Sequence, residues 1–289
     1  METILKSAKK KLVIGPDKPT VLIGERINPT GKKRLAAALV EGDLQVVRKE
    51  ALAQVEAGAD ILDVNVGAAG VDEVVMLPQA VRMVMETVDV PICIDTANLD
   101  ALRAALAMHK EMAPEGKPLV NSVNGEDERL EGVLPLVAEY KTAVIGLAMD
   151  DDGIPDSAEK RLAVVRKIVE RAGALGIPPE DIVIDCLALT VGADSNAGVV
   201  TLGAIKLVRE ELGLNMTLGA SNVSFGLPER EVVNWAFLTL AIQNGVNAPI
   251  VNAVKVRSAI LATDLLLGRD SYGMRYIKAF KKRRKAARQ

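Results

Sequence analysis

Short apolar runs rich in valine and isoleucine alternate with longer stretches in which apolar positions recur every three or four residues, and this continues along nearly the whole chain. The runs at 21–24, 61–66, 90–95, 119–123, 143–149, 182–187, 216–221 and 248–254 carry few charges and read as strands. Segments 46–57, 73–88, 99–109, 129–140, 158–174, 199–212 and 229–244 between them read as amphipathic helices, and 257–267 follows the last strand as another. Strands apolar on both faces belong to a parallel sheet covered by helices. Eight such βα repeats without a break favour closure into a (β/α)8 TIM barrel, a single α/β domain, over an open doubly wound sheet. Gly58 and Gly213 stand where helices close on a left-handed residue, and Gly173, Gly176, Pro178 and Pro179 stop a helix before the sixth strand.

Length agrees with this reading, because 289 residues suit one barrel of roughly 250 with short ends. The expected division is an N-terminal extension over 1–19, the barrel over 20–280 and a basic C-terminal tail over 281–289. A formal net charge of −2 sets up no overall field toward nucleic acid or an anionic membrane, and 2% aromatic residues leave no stacking platform for bases. The basic cluster from Lys281 to Arg288 reads as a solvated tail. Residues 232–254 form the longest uncharged span, but its asparagines, Gln243 and Pro249 argue against a lipid-embedded helix. Residues 12–14 are too short an apolar run for a signal peptide. Cys93 and Cys186 fall inside apolar strands and read as reduced core residues, which fits a cytoplasmic setting.

Polar residues gather where the strands end, the place where a barrel of this kind carries its chemistry. The group comprises Glu25, Asn28, Asp63, Asn65, Asp95, Asn98, Asn121, Asn124, Asp185, Asn222 and Asn252. Any one of them is explained as a turn former or helix cap. Their convergence on one rim is not. Carboxylates that accept and amides that both donate and accept suit a flat ligand with adjacent N–H and C=O groups, such as a pterin ring. The single histidine, His109, is expected to be an exposed structural residue near a helix end, so histidine triads and multi-histidine metal sites are excluded. No phosphate-binding GxxxxGK[ST] loop occurs, and Gly67–Gly70 lacks the wider dinucleotide pattern.

Six segments, Ile23-Gly-Glu-Arg-Ile-Asn28, Leu62-Asp-Val-Asn-Val-Gly67, Cys93-Ile-Asp-Thr-Ala-Asn98, Val120-Asn-Ser-Val-Asn124, Ile182-Val-Ile-Asp185 and Leu218-Gly-Ala-Ser-Asn-Val-Ser224, occur in order along the chain. In these the chain resembles the pterin-binding methyltransferases, which include the methyltetrahydrofolate:corrinoid protein methyltransferases and the folate domain of cobalamin-dependent methionine synthase. The resemblance implies that Asp95, Asn121 and Asp185 hold the pterin edge, that Asp63 and Asn65 line the same pocket, and that Arg230 stands near the ligand. It also implies that Asn222 lies near N5 and the transferred methyl group, where it is expected to accept a hydrogen bond from protonated N5. The substrate implied is methyltetrahydrofolate, with a corrinoid (cobalamin) carried by a partner protein, no metal in this chain, and a homodimer as the assembly. An Asp-x-His-x-x-Gly corrinoid signature cannot be built around His109, and two cysteines are too few for a three-cysteine zinc site. Two alternatives stay open. Dihydropteroate synthase shares the barrel and pterin pocket, and Lys255 keeps it in view although the Ser-x-Arg of its last strand is missing. A non-catalytic folate-binding barrel would retain the rim without the transfer. A mouth open to a large macrocycle is expected, with only the loop 188–198 long enough to move and Gly192 and Gly198 as its hinges.

Overall fold

A computed structural model describes residues 1–286. All eight strands form, as β3 (Ile23–Ile27), β4 (Ile61–Val64), β5 (Ile92–Asp95), β6 (Leu119–Val123), β7 (Ala143–Leu147), β8 (Ile182–Asp185), β9 (Asn215–Thr217) and β10 (Ile250–Val251). They pair in parallel in chain order, with β10 beside β3. Ala248 N donates to Met216 O and Ile250 N to Leu218 O, each at 3.0 Å, which brings β9 and β10 together and closes the ring. β4 and β8 stop short of the apolar runs that predict them, because a side chain takes over the next amide. Asn65 Oδ1 accepts from Gly67 N at 2.8 Å after β4, and Asp185 Oδ1 accepts from Leu187 N at 2.7 Å after β8.

Period-two alternation then sorts the side chains into two cores. Leu62, Val64, Ile92, Ile94, Val120, Val144, Ile184 and Met216 point outward into the layer beneath the helices. Ile23, Ile61, Cys93, Leu119, Ala143, Ile145 and Val183 point inward and fill the barrel. The next inward positions along the strands, two residues on, are Glu25, Asp63, Asp95, Asn121 and Asp185. One sequence step of two therefore separates the apolar filling from a polar layer above it.

The first nineteen residues, set apart in the sequence as an extension, supply a hairpin of β1 (Thr3–Lys6) and β2 (Lys11–Ile14) that joins the inner core. Its Leu5 and Ile14 are fully buried against Val21, Ile23 and the inward strand residues, so it closes the end of the barrel opposite the strand C-termini. Burial of each such side chain contributes roughly 1.5–3 kcal/mol. Asn215 at the start of β9 fastens the hairpin, its Nδ2 donating to Thr3 Oγ1 at 2.8 Å and Ile14 O at 3.2 Å.

The helices are α1 (Lys33–Val40), α2 (Gln45–Ala57), α3 (Glu73–Thr87), α4 (Leu99–Met112), α5 (Asp127–Tyr140), α6 (Ala158–Ala174), α7 (Ala197–Leu212), α8 (Arg230–Asn244), α9 (Ala253–Leu266) and α10 (Met274–Ala286). Gly58 and Gly213 do close α2 and α7 in the left-handed region, at φ of 101° and 63°. Two sequence expectations are corrected, those for His109 and for the loop after β8. His109 is 2% exposed rather than solvated, because it lies on the face of α4 that packs with Leu102, Ala105 and Leu106; burial, with Lys110 beside it, lowers it to about 4. The basic run from Lys281 is exposed through Lys285 and helical through Ala286, with Lys282 Nζ reaching Glu56 O at 2.8 Å; residues 287–289 lie outside the described residues. Finally, α7 begins at Ala197, which places Gly198 inside a helix, and the loop 148–157 after β7 is nearly as long as 186–196.

Candidate functional site

At the strand C-termini the polar layer converges. Asp63 is 3% exposed, and its Oδ1 accepts from Asn121 Nδ2 at 3.1 Å across β5. Asp95 follows on the neighbouring strand, paired in register beside Asn121, close enough for its charge and that of Asp63 to act on each other. Burial drives the carboxyl of Asp95 well above the usual range, and the negative charge of Asp63 adds to it; burial likewise raises Asp63. Two buried carboxyls on adjacent strands thus favour holding a proton between them. Asp185 is separate from this pair. Its Oδ1 accepts from Leu187 N and its Oδ2 from Gly219 N at 3.2 Å, and burial outweighs both bonds to push it up to about 6. The raised value leaves Asp185 ionised at neutral pH, with lone pairs still free to accept donors from a ligand.

The asparagines divide sharply. Asn28, Asn65, Asn98, Asn124 and Asn252 each spend the side-chain oxygen on a backbone amide two residues on, so the capping explanation accounts for their presence at these turns. Asn121 spends its Nδ2 on Asp63. Asn222 differs: its side chain is exposed in the 3₁₀ turn Ala220–Ser224 and has no hydrogen bond among the described residues. An amide kept free above an acid-lined layer is available to a ligand. Arg230 is hydrogen-bonded to the same turn, and its charge also acts on Glu25 of the rim. Its Nε donates to Ser224 Oγ at 3.0 Å and its Nη2 to Ser221 O at 2.8 Å, and its guanidinium lies 5.8 Å from the centre of the Phe225 ring. It braces the segment that carries Asn222.

Sequence reasoning passed over Lys32, whose Nζ donates to the main-chain oxygens of Arg26 and Asn28 at 3.1 and 3.0 Å, wrapping the end of β3 beside Glu25. Burial raises Glu25, with Lys32 and Arg26 opposing, and burial lowers Lys32. Gly24 has a defined purpose in this stretch. A Cβ there would stand 2.5 Å from Gln54 Oε1, the oxygen that accepts from Arg26 N at 2.8 Å. A cavity of about 690 Å³ lies apart from this layer, on the outer wall between α2, α9 and α10, and contains none of these residues. Among the described residues no cluster of histidine, cysteine, aspartate and glutamate is arranged to hold a metal ion, and no helix is long and apolar enough to cross a membrane.

Against known proteins, the family model described as pterin binding enzyme matches residues 24–252, from the first barrel strand to the last. The chain belongs to the pterin binding enzymes. Within that family it is 33% identical over 269 residues to the methylcorrinoid:tetrahydrofolate methyltransferase of Eubacterium limosum, covering 90% of this chain and 96% of that one. The methionine synthase of Mycobacterium leprae is 32% identical over 253 residues, which are 83% of this chain but 21% of that protein. Among solved structures, Xanthomonas albilineans dihydropteroate synthase superposes with a TM-score of 0.70 over 92% of this chain and 99% of that one, at 21% identity. At that identity the likeness is one of fold. Lys255, which kept the synthase in view, points to the α8 side of this pterin binding enzyme, where Nζ pairs with Glu231 Oε1 at 2.7 Å on the surface.

Proposed function

We propose that this pterin binding enzyme is a methyltransferase that moves the N5 methyl group between methyltetrahydrofolate and the cobalt of a corrinoid protein. The match to a relative of that activity along nearly the full length of both chains supports the reading. In the site, the observation that carries it is the exposed amide of Asn222, without a hydrogen bond among the described residues, in the turn that follows β9 at the strand ends where Asp95, Asn121 and Asp185 stand. A methyl group on a tertiary amine is a poor electrophile until the nitrogen gains positive character. Asn222 Oδ1 supplies an acceptor for the proton of a charged N5, and the negative field of the strand-end acids favours the same charge. Asp185 and Asn121 orient the pterin edge, Asp95 shares that edge through its proton, and Asp63 with Asn65 holds Asp95 and Asn121 in place. Each charged hydrogen bond is worth a few kcal/mol at most.

The purified protein is expected to bind methyltetrahydrofolate, to show no corrinoid absorbance, and to demethylate the folate only after a cobalt(I) corrinoid, free or protein-bound, is added. Folate binding without transfer under those conditions would leave a non-catalytic barrel. Turnover of para-aminobenzoate with a pterin pyrophosphate would make the chain a dihydropteroate synthase instead.

The enzyme works as a homodimer joined through outer-wall helices, which leaves both mouths open to the corrinoid partner. Support comes from apolar side chains exposed on α8, α9 and α10: Trp235, Leu266, Met274, Ile277 and Phe280. Sedimentation velocity at micromolar concentration is expected to give a single species of twice the chain mass, and a monomer there would remove this assembly. Cys93 and Cys186, both free and buried, support a reducing, cytoplasmic setting.

A further inference from the structure

One buried charge near the mouth has no part in the chemistry above. Arg161, in the first turn of α6, is 1% exposed, yet among the described residues its hydrogen bonds all go to neutral oxygens. Nε donates to Pro155 O at 2.9 Å, and Nη1 to Cys186 O at 2.7 Å, Leu187 O at 2.8 Å and Thr201 Oγ1 at 3.2 Å. A guanidinium so deeply buried needs a counter-charge. The carboxylate whose field it feels is Asp185, at the end of the strand that its carbonyl contacts continue.

The contacts converge on one turn. Leu187 has a φ of 61°, in the left-handed region that a leucine rarely occupies. Its N–H is taken by Asp185 Oδ1, and its carbonyl accepts from both Arg161 Nη1 and Thr201 Oγ1, the latter at 3.0 Å. A conformation of this kind persists only where its surroundings over-determine it. The same turn sets the direction of the Asp185 carboxylate, since Leu187 N holds one of its oxygens.

We propose that Arg161 is a positioning residue for the pterin: from beneath the rim it fixes the turn that aims Asp185 and supplies the buried counter-charge of that carboxylate. This rests on the reading of Asp185 as a pterin contact. The flanking strands offer Asp185 only the neutral Leu147 and Thr217, and the adjacent Cys186 is kept a thiol by burial. Among the described residues Arg161 is the charge that acts on it, opposing burial.

The test measures tetrahydrofolate affinity from pH 5 to 8, with kcat and KM at saturating corrinoid, for the native protein, Arg161→Met, Arg161→Lys and Asp185→Asn. Native affinity should fall as pH drops through about 6. Arg161→Met should move that acid limb up by about one pH unit and raise KM more than it lowers kcat. Arg161→Lys should return the limb toward its native position while binding about tenfold more weakly, because an ammonium cannot span both carbonyls. A uniform loss in Arg161→Met with the limb unmoved would make Arg161 a packing residue and overturn the proposal. If thermal melting shows that Arg161→Met does not fold, Arg161→Lys decides, and native affinity in that variant overturns it. Native affinity in Asp185→Asn is a separate failure, since it removes the pterin contact itself; weak, pH-independent binding there keeps that contact and leaves the Arg161 variants to decide.

Discussion

Asn222→Ala is expected to slow methyl transfer by about one to three orders of magnitude while folate affinity stays within a few-fold of native, the scale of losing one preorganised contact to developing charge. The reason lies in what Asn222 does in the free protein. Its amide is exposed and makes no hydrogen bond among the described residues, so removing it breaks nothing in the fold. The turn that carries it is braced independently by Arg230 through Ser221 and Ser224, and the alanine variant should keep the native mouth. What disappears is an acceptor for N5 in its charged form, which neutral bound folate uses little. Single-turnover mixing with a cobalt(I) corrinoid reads the rate, and equilibrium titration reads the affinity. Equal losses in both would make Asn222 a binding residue and withdraw the catalytic role.

Asp185→Asn should weaken tetrahydrofolate binding about ten- to a hundred-fold at pH 8, the cost of turning one charged acceptor into a donor-bearing amide. The pH sense follows from the direction of its shift. Burial lifts the native carboxyl to about 6, so the charged acceptor is present above that pH and is lost as the pH falls through it. Native affinity should therefore decline on the acid side, and the asparagine variant should be weak and flat. Asp95→Asn should lose less. Asp95 lies well above the ordinary range beside Asp63, and an amide resembles a carboxyl that already carries its proton. Calorimetry across pH 5 to 8 separates the two. Unchanged affinity in both variants would reduce the strand-end acids to the turn-forming role that Asn65 and Asn252 already fill.

Much of this was legible in the chain itself. The apolar runs and the period of the segments between them marked all eight barrel strands, and Gly58 and Gly213 placed two helix ends, because these are local properties of a few consecutive residues. What escaped was of two kinds, local competition for the backbone and packing between distant parts of the chain. The strands 61–66 and 216–221 stopped early because Asn65 and the 3₁₀ turn at Ala220–Ser224 captured the backbone, a competition that hydrophobicity does not register. The first nineteen residues read as an extension since nothing in Leu5 or Ile14 says what they will pack against. His109 read as exposed because a lone polar residue on a helix says nothing about which face is buried.

By itself the sequence determined that acids and amides stand two residues beyond the inward apolar position of successive strands, and the two-residue period of a strand turns that spacing into a common face. Only the tertiary structure decided which of them are free to meet a ligand. Five asparagines close turns, Asn121 is tied to Asp63, Arg230 braces a loop, and Asn222 is the asparagine of the rim group whose side chain makes no hydrogen bond among the described residues. The raised carboxyls of Asp95 and Asp185 likewise exist only because the closed barrel removes water from them, with Asp63 adding to the rise at Asp95 and Arg161 opposing it at Asp185. Hydrogen-bond partners and burial come from residues far apart in the chain, and closing the ring is what brings them together.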